Sequence, residues 1–355
     1  MDTFLYSIPI LGILFQVGGY LIAILPTTAP IILRAATPLG FGALCGVVCE
    51  RSGVVNIGIE GTMLTAAFTG WVIGIAAVAV LGPMAPGPLG ITPALVIGLV
   101  AALLSAVAIS LLHAWLSISL RTDQIISGTI INIAAFGITG YLNNVIAAAS
   151  PTSAGQFGKI TPPDELTSLP FVGWLFETIL NQGPITIALI VCAITLQILL
   201  FRSRWGLRTR AVGEHPKAAE TVGIDVIRLR YKNVLIGGVF AGLGGAFLSM
   251  ELSNSFQAGG TAGRGFIALA AMIVGRWTPI GALGAALLFS LFLSIGQTIT
   301  FAPPTGQLGE IVADLPVQVF SALPYLVTII ILAGLIGRST PPAADGRPYE
   351  REATA

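Results

Sequence analysis

Asn56 and Glu60 stand four residues apart in the run NIGIEG (56–61), with Gly53, Gly58 and Gly61 around them. An amide and a carboxylate at that spacing share one helical face, and the glycines permit a tight or broken backbone. Two kinds of work are open to the pair: exchanging hydrogen bonds with a passing solute, or starting a helix, with Asn56 as cap and Glu60 complementing the dipole. A second polar stripe, Gln124, Gly128, Asn132, Thr139 and Asn143, falls within an arc of about 100° when plotted at helical period. It can line a route for a hydroxyl-rich solute or bond neighbouring helices, and spacing alone leaves both open. Covalent chemistry finds no foothold. His113 and His215 match no zinc spacing, and no nucleophile and base fall together. Lys159, Lys217 and Lys232 are followed by Ile, Ala and Asn, so no phosphate-cradling Gly-Lys-[Ser/Thr] loop exists. Cys45 and Cys49, four apart, and Cys192 read as small packing residues. The expectation is no catalytic residue, no metal and no cofactor.

These residues must be positioned by membrane helices. Apolar residues make up 55% of the 355, charged residues 9%, and mean hydropathy is +0.90, whereas a soluble domain carries roughly a quarter charged residues. Net charge is only +1, which points away from nucleic acid. Apolar runs of spanning length predict helices at 7–25, 30–49, 59–82, 92–119, 124–149, 183–201, 233–252, 279–300 and 318–337. A tenth run, 265–275, is too short to span unaided, as a broken or re-entrant helix would be. The expected fold is thus an all-α polytopic integral membrane protein of about ten transmembrane helices. One transmembrane domain would cover 1–338, and the polar, Pro-rich residues 339–355 would be a disordered cytoplasmic tail.

Charge sets the orientation. Residues 202–232 hold eight of the 17 Lys and Arg: Arg202, Arg204, Arg208, Arg210, Lys217, Arg228, Arg230 and Lys232. Basic loops face the cytoplasm. With ten crossings, Arg51, Arg121, Arg276, Arg338, Arg347 and Arg351 fall on the same side, and both termini are cytoplasmic. The long outer loop 150–182 carries an apolar cluster, Phe171, Trp174, Leu175 and Phe176, suited to a short surface helix. Within the basic loop, Pro216 suits a first helical turn and Gly223 the left-handed position after a last one. Ala218, Ala219 and Val222 would share one small apolar face between them, flanked by charge, which can slot into a groove on another protein or lie as an ordinary solvated helix.

The stretch RSRWGLRTRAVGEHPKAAETVGI, followed by RLRY, closely resembles the cytoplasmic loop of bacterial ABC importer permeases of the branched-chain amino acid, simple sugar and nucleoside group. ERSGVVNIGIEGTML (50–64), TDQIISGTIIN (122–132) and TAGRGFIALAAMIVGRWTPIGALGAALLF (261–289) resemble the nucleoside and simple-sugar branch in particular. The resemblance implies that Gly213, Glu214, Pro216, Lys217, Ala218, Ala219 and Gly223 couple the chain to an ATP-hydrolysing partner; many importer permeases have Glu where Lys217 stands. It implies a substrate pathway near Asn56, Glu60, Gln124, Asn132, Thr139 and Asn143. It further implies a second identical or related permease, an extracytoplasmic substrate-binding protein and a place in the bacterial plasma membrane. Nucleosides are the expected solute and simple sugars the alternative; an ion-driven carrier would need mid-membrane carboxylates, which the predicted span centres lack.

Overall fold

The computed structural model describes residues 9–147, 153–169, 172–301, 303–316, 339–350 and positions 318, 319, 322, 326, 329 and 330. These residues form helices and connecting segments, with no strand among them. In chain order the helices are α1 (Pro9–Glu50), α2 (Ile59–Leu81), α3 (Pro93–Ala114), α4 (Gln124–Ala147), α5 (Asp164–Thr167), α6 (Gly173–Leu180), α7 (Pro184–Arg202), α8 (Arg204–Glu214), α9 (Pro216–Thr221), α10 (Val226–Ala246), α11 (Arg264–Val274), α12 (Pro279–Phe301) and α13 (Gln307–Ala313). Helices α3 and α10 run on into π-helical turns, Trp115–Ser119 and Phe247–Leu252. Seven helices among the described residues are long and apolar enough to cross a membrane.

Local sequence explains the boundaries. Proline occupies the first turn of α3 and α7, where its missing N–H costs nothing, and the Thr92 hydroxyl caps α3 by accepting from Leu95 N. Asp225 caps α10 by accepting from Arg228 N. The predicted helices 7–25 and 30–49 are a single helix, α1, of 42 residues. Pro26 and Pro30 sit inside it, and the hydroxyls of Thr27 and Thr28 both donate to the Ile24 carbonyl. Hydroxyl bonding of this kind is how apolar surroundings tolerate proline within a helix. The span read at 318–337 lies largely outside the described residues.

Contacts divide the chain into two units: Met1–Ala36, Thr161–Gln182 and Leu287–Leu335, and Thr37–Ile160, Gly183–Ala286 and Ile336–Ala355. In the first, Arg34 Nε donates to Gln182 Oε1 at 3.3 Å, which gives this basic residue of α1 a polar partner. Of the apolar cluster read in 150–182, Trp174, Leu175 and Phe176 lie on a short helix, α6, and Phe171 falls outside the described residues. In the second, α2, α3, α4 and α10 pack together around a core that includes Phe41, Leu44, Met63, Leu95 and Phe247.

Small residues set the spacing of that core. A Cβ on Gly98 would lie 2.6 Å from the Gly70 carbonyl, one on Gly238 2.5 Å from Ser110 Oγ, and one on Gly245 2.2 Å from the Met63 carbonyl. Lipid gives no hydrophobic drive to helix pairing, so this close approach carries it. Gly245→Val is therefore expected to destabilise the protein by about 3 kcal/mol or more through overpacking against rigid backbone. The loss is read as a lowered thermal midpoint in detergent, with Gly284→Ala, where a Cβ meets nothing within 4 Å, as the neutral control.

Helix α11 is the short run read from sequence at 265–275. Its 11 residues rise about 16 Å, half the hydrocarbon core. It runs alongside α1: a Cβ on Gly42 would meet Ala268 and one on Gly46 would meet Met272, each at 2.7 Å. Segment 51–58 climbs back along the same helix, with Asn56 Nδ2 3.8 Å from Cys45 Sγ and 3.9 Å from Cys49 Sγ. The two cysteines are free and buried, filling space beside this returning chain.

Candidate functional site

Two groups of residues stand out in the second unit: a polar junction inside the helix bundle and a basic surface built on α8 and α9.

The junction gathers the motif 55–61, α4 and α11. Gln124 Oε1 accepts from Val55 N at 2.7 Å; Asn132 Oδ1 accepts from Gly61 N at 2.7 Å while its Nδ2 donates to the Ile57 carbonyl at 2.9 Å. Gly128 lets the backbones touch, since a Cβ there would lie 2.7 Å from Gly58 N. His113 completes the seam with Nε2 3.0 Å from the Val55 carbonyl and Nδ1 3.1 Å from Ser127 Oγ. Irregular backbone at membrane depth must be satisfied internally, and these side chains do that for 55–61.

Glu60 serves a helix other than its own. Its Oε1 accepts from Gly263 N at 2.8 Å and its Oε2 from Gly265 N at 2.5 Å, closing the N-terminus of α11. Its own helix has Gly58 as N-cap with no side-chain bond, so Asn56 is not the cap. Asn56 is buried, and its Oδ1 has no partner among the described residues. Thr139 bonds back to Ala135 O on its own helix, and Asn143 Oδ1 is enclosed without a partner among the described residues. The stripe thus divides: Gln124, Gly128 and Asn132 meet the motif, and Thr139 and Asn143 lie apart from it.

Glu251 repeats the device and was missed as such in the sequence. It accepts from Ile185 N at 2.7 Å, Thr186 N at 3.1 Å and Thr186 Oγ1 at 2.6 Å, capping α7. Nothing local to Glu251 signals this, because the donors lie more than 60 residues away.

On the basic surface, Ser203 caps α8, Trp205 Nε1 donates to Asn233 Oδ1 at 3.0 Å, and Asn233 Nδ2 donates to Thr209 Oγ1 at 3.1 Å. Arg210 lies over the Phe201 ring at 5.1 Å. Gly213 is pressed against the Arg51 carbonyl, 2.3 Å from where a Cβ would be. Pro216 opens α9, and Gly223 follows it with φ +83°. The expected shared face of Ala218, Ala219 and Val222 is split. Ala219 turns inward onto Val212, Val226 and Tyr349, while Ala218 and Val222 point outward, Val222 at 75% exposure. Ala219 lies about 100° round the helix from Ala218, and Val222 stands past the helix end as its C-cap.

The tail expected to be disordered is packed here over residues 339–350. Ala344 N donates to the Gly213 carbonyl at 2.8 Å, Ala343 N to Glu214 Oε2 at 3.2 Å, and the Tyr349 hydroxyl to Glu220. Arg230, wholly buried, donates through Nε to the Ser52 carbonyl and through Nη1 to the Arg347 carbonyl, both at 3.0 Å. Composition averages over the segment; apolar anchors, Pro342, Ala344 and Tyr349, and a guanidinium in need of carbonyls hold it. Burial pushes the Asp345 carboxyl up to about 6. Between tail and α9 lies an open groove of about 980 Å³ whose walls include His215, Lys217, Ala218, Arg347 and Pro348.

Residues 29–332 match the family described as branched-chain amino acid transport system / permease component. The chain is 38% identical over 336 residues to the guanosine ABC transporter permease protein NupQ of Bacillus subtilis, covering 93% of this chain and 98% of that protein. It is 39% identical over 319 residues to the nucleoside ABC transporter permease protein NupC of Lactococcus lactis, covering 90% and 95%. TsgC13 of Haloferax volcanii, whose name assigns it provisionally to glucose transport, is 32% identical over 334 residues, covering 90% and 96%. No solved structure matches. With seven apolar helices of spanning length, a polar seam that satisfies broken backbone inside them and these relatives along nearly its whole length, the chain belongs to the family of transport-system permease components, membrane-spanning subunits that move solute and are not enzymes.

Proposed function

We propose that the chain is the permease of an ATP-binding-cassette importer for nucleosides in the bacterial plasma membrane. The observation that carries this reading is the near full-length identity to two permeases named for guanosine and for nucleosides. The permease pairs with a second copy or a related chain, receives solute from an extracytoplasmic binding protein, and is driven by an ATPase subunit that alone binds nucleotide. Residues 213–223 couple to that subunit. In support, α9 stands outward on the basic surface while Gly213, Ala219 and Gly223 fix its frame. Movement of α9 is transmitted to segment 51–58 and to α11, biasing one of two conformations of the pathway. The pathway runs past Asn56, Glu60, Gln124, Asn132, Thr139 and Asn143.

About ten crossings with both termini in the cytoplasm fit this reading. The seat of residues 339–350 on the coupling loop agrees with an even number of crossings after α10 begins, and the basic residues assign that face to the inside. A simple-sugar permease is the second reading, favoured by TsgC13. A proton- or sodium-driven carrier fits less well, because Glu60 and Glu251 spend both oxygens on helix caps.

The test is uptake of radiolabelled uridine, adenosine and ribose by cells carrying the intact system, beside an ATPase-dead partner and a protonophore. Saturable nucleoside uptake lost with the dead ATPase is expected. Ribose uptake alone moves the solute to sugars, and uptake indifferent to the ATPase overturns the coupling.

A further inference from the structure

The chain between the end of α10 and the start of α11 is irregular, yet it lies alongside the membrane-spanning length of α2. Phe256 packs edge-on against Phe68, near the middle of α2, with ring centroids 5.1 Å apart, and also against Trp71 at 6.2 Å. At the other end Gly263 N reaches Glu60, at the start of α2. On the α4 side, a Cβ on Gly259 would lie 2.9 Å from the Phe136 ring. Left-handed backbone at Asn254, Gly259, Ala262 and Gly263 folds the segment into consecutive turns, with Gly260 N bonded to Gln257 O, Ala262 N to Gly259 O and Arg264 N to Thr261 O.

Non-helical backbone at that depth is tolerated only where protein covers it or where it lines water. This segment is exposed at Ser253, Gln257, Ala258 and Ala262. It borders a cavity of about 300 Å³ whose polar lining includes Ser249, Ser255, Gln257, Thr261 and Arg264. Ser249 lies in the π-helical turn, is 3% exposed, and its Oγ has no hydrogen-bond partner among the described residues. A buried hydroxyl left unbonded is costly unless another group completes it.

We infer that this cavity is a solute subsite within the membrane, taking a neutral, hydroxyl-bearing solute of nucleoside size. The volume suits one such molecule. The lining brings one cation, Arg264, whose Nη1 donates to the Gly260 carbonyl at 2.8 Å, and no carboxylate. A cationic solute is therefore disfavoured, and a neutral one exchanges its water for the hydroxyls and amide. The break before α11 puts this lining where discontinuous helices in transporters hold their substrates. The inference rests on the nucleoside reading for the identity of the solute, and on the cavity alone for its position.

Ser249→Ala in the complete reconstituted transporter is expected to raise the KM for uridine uptake about three- to tenfold, the worth of one hydrogen bond, and Ser249→Thr to restore most of it. In a Cys192→Ser background, Gln257→Cys is expected to react with a charged, water-borne thiol reagent, at least threefold more slowly when uridine saturates the transporter. A KM within twofold of the parent for Ser249→Ala, together with no protection at Gln257→Cys, overturns the subsite. So does complete silence at Gln257→Cys, which means that a second subunit covers the loop. If the parent moves no uridine, the nucleoside reading fails separately, and labelling of Gln257→Cys still decides whether the cavity is a wet path.

Discussion

Glu60→Ala is expected to lower the stability of the permease by about 3–6 kcal/mol. Each backbone N–H left unbonded in the bundle costs roughly 1–3 kcal/mol, and two lose their acceptor together, those of Gly263 and Gly265. A carboxylate at a helix N-terminus adds about 0.3–2 kcal/mol. Set against the roughly 5–15 kcal/mol that holds a folded domain, the variant should lose thermal midpoint and yield together. Glu60→Gln keeps one good acceptor and should fall between parent and alanine. The same measurement separates the two kinds of work open to this residue. A Glu60→Ala protein as stable as its parent but unable to transport would make Glu60 a gate and remove its role as the cap of α11.

Ending the chain after residue 340 should uncouple it. The truncation removes the Arg347 carbonyl from Arg230, the Tyr349 ring from Ala219, Val212 and Val226, and the hydroxyl from Glu220. A buried guanidinium stripped of a partner costs about 3–5 kcal/mol, and the strain falls on the base of α10 and the frame of α9. ATP hydrolysis stimulated by loaded binding protein is expected to drop at least tenfold, with Arg230→Met in the truncated chain recovering fold stability but not coupling. Stimulated hydrolysis equal to the parent's would show that the tail is dispensable. Acid should strengthen the tail's seat. The Asp345 carboxyl is raised from 3.8 to about 6 by burial, so the folded form holds its proton more tightly than the free tail does. That contribution is full below about pH 4 and is lost as pH rises through about 6. Proteolysis of the tail should accordingly be slower at pH 5 than at pH 8.

The six spans read between 59 and 300, the basic loop and the shortness of α11 were legible because each rests on a run of residues in sequence: apolar length, charge density, and an apolar stretch half as long as a bilayer. Partners across the fold were not. Periodicity put Gln124 and Asn132 on one face of α4 without saying that the motif 55–61 lies opposite. Glu60 could be placed near a helix start, but the helix it closes begins some 200 residues later. Apolar runs of spanning length divided 7–25 from 30–49, while in the structure the Thr27 and Thr28 hydroxyls bond back beside Pro26 and Pro30 and α1 stays continuous. The tail misled for the opposite reason, since its composition is that of a free segment while a few of its side chains, Ser339, Ala344, Tyr349 and Glu350 among them, anchor it.

The burial of Arg230 under Arg347 has a consequence for the order of synthesis. Domains emerge and fold from the N-terminus as translation proceeds, and Arg230 is made more than a hundred residues before the carbonyl that completes it. Throughout that interval the base of α10 carries a cation short of a partner, and the surface around α9 lacks its second wall. The surface proposed to dock an ATPase is finished only when residues 344–349 leave the ribosome, so a chain cut short before them reaches the membrane with that surface lacking one wall.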